Sequence, residues 1–336
     1  MIAGLAGFAA ACLAGLFGFT AIGTRRIERR FPPVGALVDT SGGPIHVVER
    51  APEGDERGAI LLVHGASGNF ADMSVALADR LAARGFRIFS VDRPGHGWSA
   101  RPAARDASSP ERQAEILREA LERRGVSEAI VVVHSLAGVL GLAMALNAPE
   151  FVRALVLLAP VSHPWPGGVA WYYMLAASPT FGPWFRRLLV MPAGLASMRA
   201  GVRDVFKPNP TPPDYIGATR LPLVFRPRHF KANAEDVVAT EAHVAALSPR
   251  YGAIAAPTAV VTGDRDGVVY AHIHSIGCAR DIPGATLTTL AGVGHSPHHS
   301  APDRVIETIL EVDRRAGDKA HGEKVDAEHS APTRVR

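Results

Sequence analysis

Cysteine is nearly missing from this chain: its 336 residues hold two, Cys12 and Cys278, and Cys12 lies in an apolar segment that keeps it apart from the other. A disulfide-stapled scaffold is thereby excluded, and a reducing compartment is open to the protein. Excess charge is missing too. Lysine and arginine number 36 against 32 acidic residues, a formal net charge of +4, and no basic stripe is interleaved with aromatics. No nucleic-acid partner is expected from that pattern. Nor is the chain poor in apolar residues, as a disordered one would be: 47% are hydrophobic and 20% charged. That suffices for one large core with an insertion, or for two modest ones.

The longest absence comes first in the chain. Between Ile2 and Gly23 no side chain carries a charge, and Thr24-Arg25-Arg26-Ile27-Glu28-Arg29-Arg30 follows at once. As a helix this run reaches about 33 Å at ~1.5 Å per residue, enough for the hydrocarbon of a bilayer. A cleaved signal peptide is the competing reading. Against it, the segment lacks a basic start, its apolar stretch is long, and arginines stand where a small-residue cleavage site belongs. The expectation is a single-pass cell-membrane anchor over residues 1–24 and a basic linker over 25–35. Arginine retained on the inner side places the body in the cytoplasm. Gly7, Ala11 and Gly15 recur every four residues and offer a close helix–helix face, although so small-residue-rich a run produces that spacing by chance.

After Arg30 the pattern changes to short apolar runs separated by turns. Ala36–Asp39 and Pro44–Glu49 around Ser41-Gly42-Gly43 read as a hairpin. Ala59–Val63, Phe86–Val91, Ile130–Val133, Ala154–Leu158, Thr258–Gly263 and Ala285–Leu290 read as strands, several of them apolar throughout and so buried on both faces. Helical patterns lie between them: Ala71–Arg84 closed by Gly85, Pro110–Arg124 closed by Gly125, Leu136–Leu146, and a last one from Pro302. Strands alternating with helices over short links predict an α/β fold of three layers around a mostly parallel sheet. The rhythm fails between residues 161 and 256. There Pro-rich turns alternate with aromatics, including Trp165, Trp171, Trp184, Tyr172, Tyr173, Phe181, Phe185 and Phe206. The stretch 317–336 is polar and is expected to be a disordered tail.

One junction stands out. Ile130-Val131-Val132-Val133 runs into His134-Ser135-Leu136-Ala137-Gly138 and then a helix. A strand feeding a helix through one tight turn exposes the turn residue above the sheet, so a serine there offers its hydroxyl to a substrate. This resembles the nucleophile elbow of the α/β-hydrolase superfamily, capped and of the Ser-Asp-His type. The elbow lacks the family's Gly-x-Ser-x-Gly: Val133 and Ala137 occupy the glycine positions, with Gly138 one place late. Three further stretches carry the resemblance, which extends from about Ala36 to about Ala316. His64-Gly65-Ala66-Ser67-Gly68 follows one strand, Asp92-Arg93-Pro94-Gly95-His96-Gly97-Trp98-Ser99 the next, and Gly292-Val293-Gly294-His295 the last.

The resemblance implies the following assignments. Ser135 is the nucleophile, and His295 is its general base. The acid lies in Gly263-Asp264-Arg265-Asp266-Gly267, where the family's Gly-x-x-Asp selects Asp266 and leaves Asp264 as the alternative. Backbone N–H groups of Ala66 and Leu136 form the oxyanion hole. His64 braces its loop, Asp92 ties down the bend at Gly95 and Gly97, and His96 takes no part in the chemistry. The core spans 36–160 and 257–316, with 161–256 inserted as a helical cap. No cofactor is expected. His298 and His299 invite a metal reading with His295, but no acidic or cysteine ligand adjoins them in sequence, so no metal is expected either.

A serine at the nucleophile position argues against the epoxide- and halide-displacing relatives, which carry aspartate there. What the resemblance then implies is a membrane-anchored serine hydrolase acting on a carboxylic ester with an apolar or aromatic group. Two alternatives stay open: a carbon–carbon bond hydrolase with the same triad, and a non-catalytic binding protein whose elbow has decayed at Val133. The cap aromatics either line an apolar pocket over the triad or are simple lid core. Arg226, Arg228, His229 and Lys231 either hold an anionic group or form a solvated cap face.

Overall fold

The β-branched runs assemble into a single sheet in the computed structural model, which describes residues 2–104 and 106–330. The eight strands are β1 (Ala36–Val38), β2 (Ile45–Arg50), β3 (Gly58–Val63), β4 (Phe86–Val91), β5 (Ala129–His134), β6 (Val152–Leu158), β7 (Thr258–Gly263) and β8 (Thr286–Leu290). Their order across the sheet is β1-β2-β4-β3-β5-β6-β7-β8. Only the β1–β2 and β2–β4 pairings are antiparallel; every later pair is parallel. The crossing of β3 and β4 puts β3 beside β5, in register from Ala59 with Ala129 to Val63 with Val133. The loops after β3, β5, β7 and β8 therefore emerge along one edge, where ligands sit in open α/β sheets.

The helices are α1 (Ile2–Arg30), α2 (Phe70–Ala82), α3 (Pro110–Glu122), α4 (Gly138–Asn147), α5 (Trp171–Ala177), α6 (Gly182–Phe185), α7 (Met191–Phe206), α8 (Tyr215–Ala218), α9 (Pro227–Leu247), α10 (Ser275–Asp281), α11 (Pro297–Ser300) and α12 (Pro302–Ser330). Side chains alternate across each strand, so the sheet faces two cores. Leu61, Val63, Val131 and Val133 point into one with α3, α4, α9 and α10. Ile60, Leu62, Ile130 and Val132 point into the other with α2 and α12. Residues 161–256, where the βα rhythm fails, are helical; α9 is their longest piece and rests on α4.

Two boundaries differ from expectation. The segment 25–35 is not a loose linker, because α1 continues unbroken through Arg30. Ile27 and Phe31 are buried with Met191 and Leu223, and Glu28 accepts a hydrogen bond from Arg226 at 3.1 Å. An apolar residue once per helical turn gives the basic segment a face to bury. The residues after 316 are not irregular from the outset, since α12 runs on to Ser330. Pro302 starts it, and Val305, Ile306, Ile309 and Val312 anchor it at helical spacing; residues 331–336 lie outside the described residues. Gly4–Arg30 is long and apolar enough to cross a membrane, with mean hydropathy 2.0 and 6% of its apolar window buried.

Candidate active site

Ser135 stands at φ +54° between β5 and the short helical turn Ser135–Ala137. A non-glycine residue in the left-handed region carries strain that its surroundings must hold. They do so closely. Val161 N–H donates to Ser135 O at 2.9 Å, and a Cβ placed on Gly65 would lie 2.9 Å from Ser135 Cβ. The loop after β3, which carries the Ala66 N–H, is thus pressed directly against the elbow. Gly138, one place beyond the family position, admits the backbone of Pro160 and Val161, which a Cβ there would meet at 3.0 and 2.8 Å.

Three side chains far apart in sequence meet above this turn. Ser135 Oγ donates to His295 Nε2 at 2.9 Å, and His295 Nδ1–H donates to Asp266 Oδ2 at 2.9 Å. The other oxygen of Asp266 accepts the N–H groups of Val268 and Val269 at 2.8 and 3.0 Å, which aims Oδ2 at the imidazole. Asp264 is turned away: its Oδ1 accepts from Gly292 N–H at 2.7 Å and steadies the histidine loop. Ser135 and His295 are buried.

The supporting loops behave as braces. His64 Nδ1–H donates to its neighbour Gly65 O at 2.8 Å, and Nε2 accepts from Arg93 N–H at 3.1 Å. Burial, then the charge of Arg93, pushes its pKa down to about 4. It is a neutral strut. Asp92 accepts from Phe70 N–H, Trp98 N–H and His46 Nδ1 at 2.7–2.8 Å. Burial alone would raise its pKa, but the bonds and charge of His46 outweigh that and lower it. Gly97 sits against this carboxylate with no room for a Cβ. The His96 ring bonds Arg93 Nη2 at 3.1 Å and Pro94 O at 3.3 Å, away from the triad.

Several contributors carried no signal in their local sequence. His134 Nε2–H donates to His295 O at 2.9 Å, so the elbow's own histidine holds the histidine loop. Asn209, from the cap segment, grips that loop twice, accepting from Gly294 N–H at 2.8 Å and donating to Gly292 O at 2.9 Å. Asp72 accepts from His298 at 3.3 Å, His299 at 3.1 Å and Tyr215 at 2.9 Å. Ligand atoms of Asp72, His134 and His298 all lie within 4.8 Å of one another, the one arrangement of metal-holding type among the described residues. Of the three histidines of the run only His298 belongs to this set, beside His134 and Asp72 of α2, while His295 is bonded to Ser135 and Asp266. Burial drives the pKa of His134 well below 6.5, and that of His298 down as well. The rings of His134 and His298 behind His295 are therefore neutral and add no like charge to an imidazolium forming there.

Two features of the cap depart from expectation. Arg226 is fully buried rather than solvated or facing a substrate. It donates to Glu28, Leu223 O and Gly97 O and stacks on Trp98 at 4.9 Å, bolting α1, the cap and the Asp92 loop together. His229 is buried and accepts from Gly97 N–H at 3.1 Å, while Lys231 pairs with Glu235. Arg228, 3.8 Å from Glu28, and Lys231 are the two of the four that are exposed, as a solvated cap face requires. The aromatics divide: Phe206 is fully buried against Tyr215 and His299, as lid core would be, whereas Trp171, Tyr172, Phe181 and Trp184 are exposed. Tyr173 turns toward the loop after β3, its hydroxyl 3.4 Å from Ser67 Oγ and its ring stacked on Phe230. Asp236 on α9 accepts from Arg93 at 2.8 Å and Arg101 at 2.7 Å, both buried or nearly so, and this clamps the cap to the core.

Comparison with known proteins agrees with this architecture. Residues 58–199 match the model of the alpha/beta hydrolase fold family. The chain is 31% identical over 300 residues to the magnesium-chelatase 30 kDa subunit of Rhodobacter capsulatus, covering 85% of this chain and 98% of that protein. It is 25% identical over 238 residues to a 2-hydroxy-6-oxononadienedioate/2-hydroxy-6-oxononatrienedioate hydrolase of Burkholderia vietnamiensis, covering 70% and 80%. Among solved structures, a probable hydrolytic enzyme of Pseudomonas aeruginosa superposes with a TM-score of 0.65 at 24% identity, over 83% of this chain and 94% of that one. An enol-lactonase of Burkholderia xenovorans gives 0.64 at 20% identity, over 82% and 98%. An eight-stranded sheet with an elbow after β5, an acid loop after β7 and a histidine loop after β8 places the chain in the α/β-hydrolase superfamily.

Proposed function

We propose that the protein is a membrane-anchored serine hydrolase that cleaves a carboxylic ester with an apolar or aromatic group. The observation that carries this reading is the unbroken chain of hydrogen bonds from Ser135 through His295 to Asp266, each 2.9 Å. A serine hydroxyl is a poor nucleophile until a base takes its proton. His295 Nε2 takes it as Oγ forms a bond to the ester carbonyl carbon, and Asp266 stabilises the imidazolium through Nδ1–H. The N–H groups of Ala66 and Leu136 receive the oxyanion. His295 then gives its proton to the departing alcohol, leaving an acyl-enzyme. Water, deprotonated by the same histidine, releases the acid and restores Ser135.

Two alternatives have specific support. The Burkholderia relative's name favours a carbon–carbon bond hydrolase using the same three residues. The Rhodobacter relative is named as a subunit, which favours a non-catalytic role. A fluorophosphonate probe applied to wild type and Ser135→Ala separates catalysis from that last reading. Labelling of wild type alone supports a working nucleophile; equal labelling of both, or of neither, overturns it. A panel of p-nitrophenyl esters set against vinylogous diketones then divides ester from carbon–carbon cleavage.

A further inference from the structure

We infer that the outer face of the cap, formed by Trp171, Met174, Phe181, Trp184 and Leu189, is seated in the same bilayer leaflet as the carboxyl-terminal half of α1. The inference rests on the reading of α1 as a membrane anchor, and it adds a second, monotopic contact made by the cap itself.

Helix register carries the argument. The carboxyl end of α1 lies along the cap in step with α7. Met191 meets Gly23, and four residues on in both helices Leu195 packs against the cluster that holds Ile27. The two helices therefore run side by side in the same direction. Going back from Met191, the cap chain remains helical through the π-helical turn Arg186–Val190 into α6. That turn also packs against α1. Trp184 lies seven residues before Met191, about 10 Å further along at ~1.5 Å per residue. It is level with Leu16, well inside the uncharged run, whereas the arginines at 25, 26, 29 and 30 mark the level of the headgroups. A bilayer that accommodates α1 to that depth must also accommodate α6 and the π-helical turn.

The side chains match such a solvent. Trp171, Phe181, Trp184 and Met174 are 69%, 65%, 68% and 60% exposed, and Leu189 is exposed beside them. Their combined apolar surface has no protein cover, a condition that marks an interaction site. Tryptophan flanked by aliphatic residues is the composition of an interfacial belt. The charges on this segment are accounted for. Arg186 is buried and donates to Ala176 O, and the exposed Arg187, which donates to Pro183 O at 3.5 Å, is long enough to exchange that bond for the headgroups. A cleft of about 550 Å³ beside α1, lined by Arg26, Arg30, Arg199 and Asp214 among apolar side chains, lies at the headgroup level.

The test uses the full chain in phosphatidylcholine vesicles, with tryptophan emission read with and without acyl chains brominated near the glycerol end. The lipid-quenched share of emission is expected to fall at least about twofold in W171F/W184F, and Phe181→Trp in that background is expected to restore it. Unchanged quenching in the double variant overturns the inference. Leu13→Trp in the same background reports α1 independently. If it is quenched while the cap tryptophans are not, the anchor stands and the cap faces water or a second copy. If neither is quenched, anchor and inference fall together. Hydrolysis at Ser135 is read separately by the fluorophosphonate probe.

Discussion

Val133 fills the space that Gly141 leaves open. A Cβ on Gly141 would lie 2.9 Å from Val133 Cγ2 and 3.0 Å from Cγ1. The family's small residue before the nucleophile relieves crowding between strand and helix; here the bulk stands on β5, and the relief comes from the first turns of α4. The elbow keeps its geometry because the pair, taken together, has the volume the junction needs.

This pairing predicts non-additivity. Gly141→Ala alone overpacks the junction and is expected to lower stability by about 1–3 kcal/mol. Val133→Ala alone leaves a small cavity and costs about as much. The double variant exchanges one methyl environment for another and gains about 1 kcal/mol of helix propensity at position 141. It is expected to be more stable than either single variant. Urea midpoints for the four proteins close the cycle, and simple additivity would show that the two residues do not share the space.

The order of importance of the two acids is equally specific. Asp266 orients the imidazole, whereas Asp264 holds Gly292 N–H. Asp266→Asn is expected to lower kcat by about 10⁴-fold through loss of the productive tautomer. Asp264→Asn, which keeps an acceptor for Gly292, is expected to change kcat less than about tenfold. Rates on whichever ester the panel identifies decide the matter; comparable losses in both variants would remove Asp266 from its role.

The strands were legible because a parallel strand buried on both faces has to be a run of branched apolar residues, and Thr258–Gly263 begins and ends where that run does. The meeting of Ser135, Asp266 and His295 was implied by the resemblance of their loops to those of the α/β-hydrolase superfamily, and the fold realises it because each follows a parallel strand that delivers its loop to one edge. Other features depend on which surface a residue meets, and local pattern is silent on that. Gly141 reads as an ordinary helical glycine until Val133 is seen against it. Arg226 reads as a surface cation until Glu28 and Trp98 enclose it. Trp171 and Trp184 read equally as pocket lining or lid core, since exposure is set by packing of the whole cap rather than by composition. The basic segment after Gly23 reads as a linker because its charges mask Ile27 and Phe31, the two side chains that dock it.

Buried histidine gives the fold an acid limit. Burial drives His64 and His274 down to about 4. It holds His96, His134 and His229 well below 6.5 and lowers His298. In the unfolded chain each titrates near 6.5, so between pH 6.5 and 4 the unfolded state binds protons that the native state refuses. Stability is then complete above 6.5 and is lost as pH falls through that window, by up to about 1.4 kcal/mol per pH unit for each histidine. With several acting together, Tm is expected to drop by about 10 °C or more between pH 7 and pH 5. Below pH 4 protonation of Asp72 and Asp92, whose pKa values are lowered, adds to the loss. Calorimetry across this range, with buffers of different ionisation enthalpy to count protons taken up on unfolding, checks the sign. A Tm that stays level from pH 7 to 5 would mean these rings are solvated or already charged in the native protein, and the neutral state of His134 and His298 behind His295 would have to be abandoned.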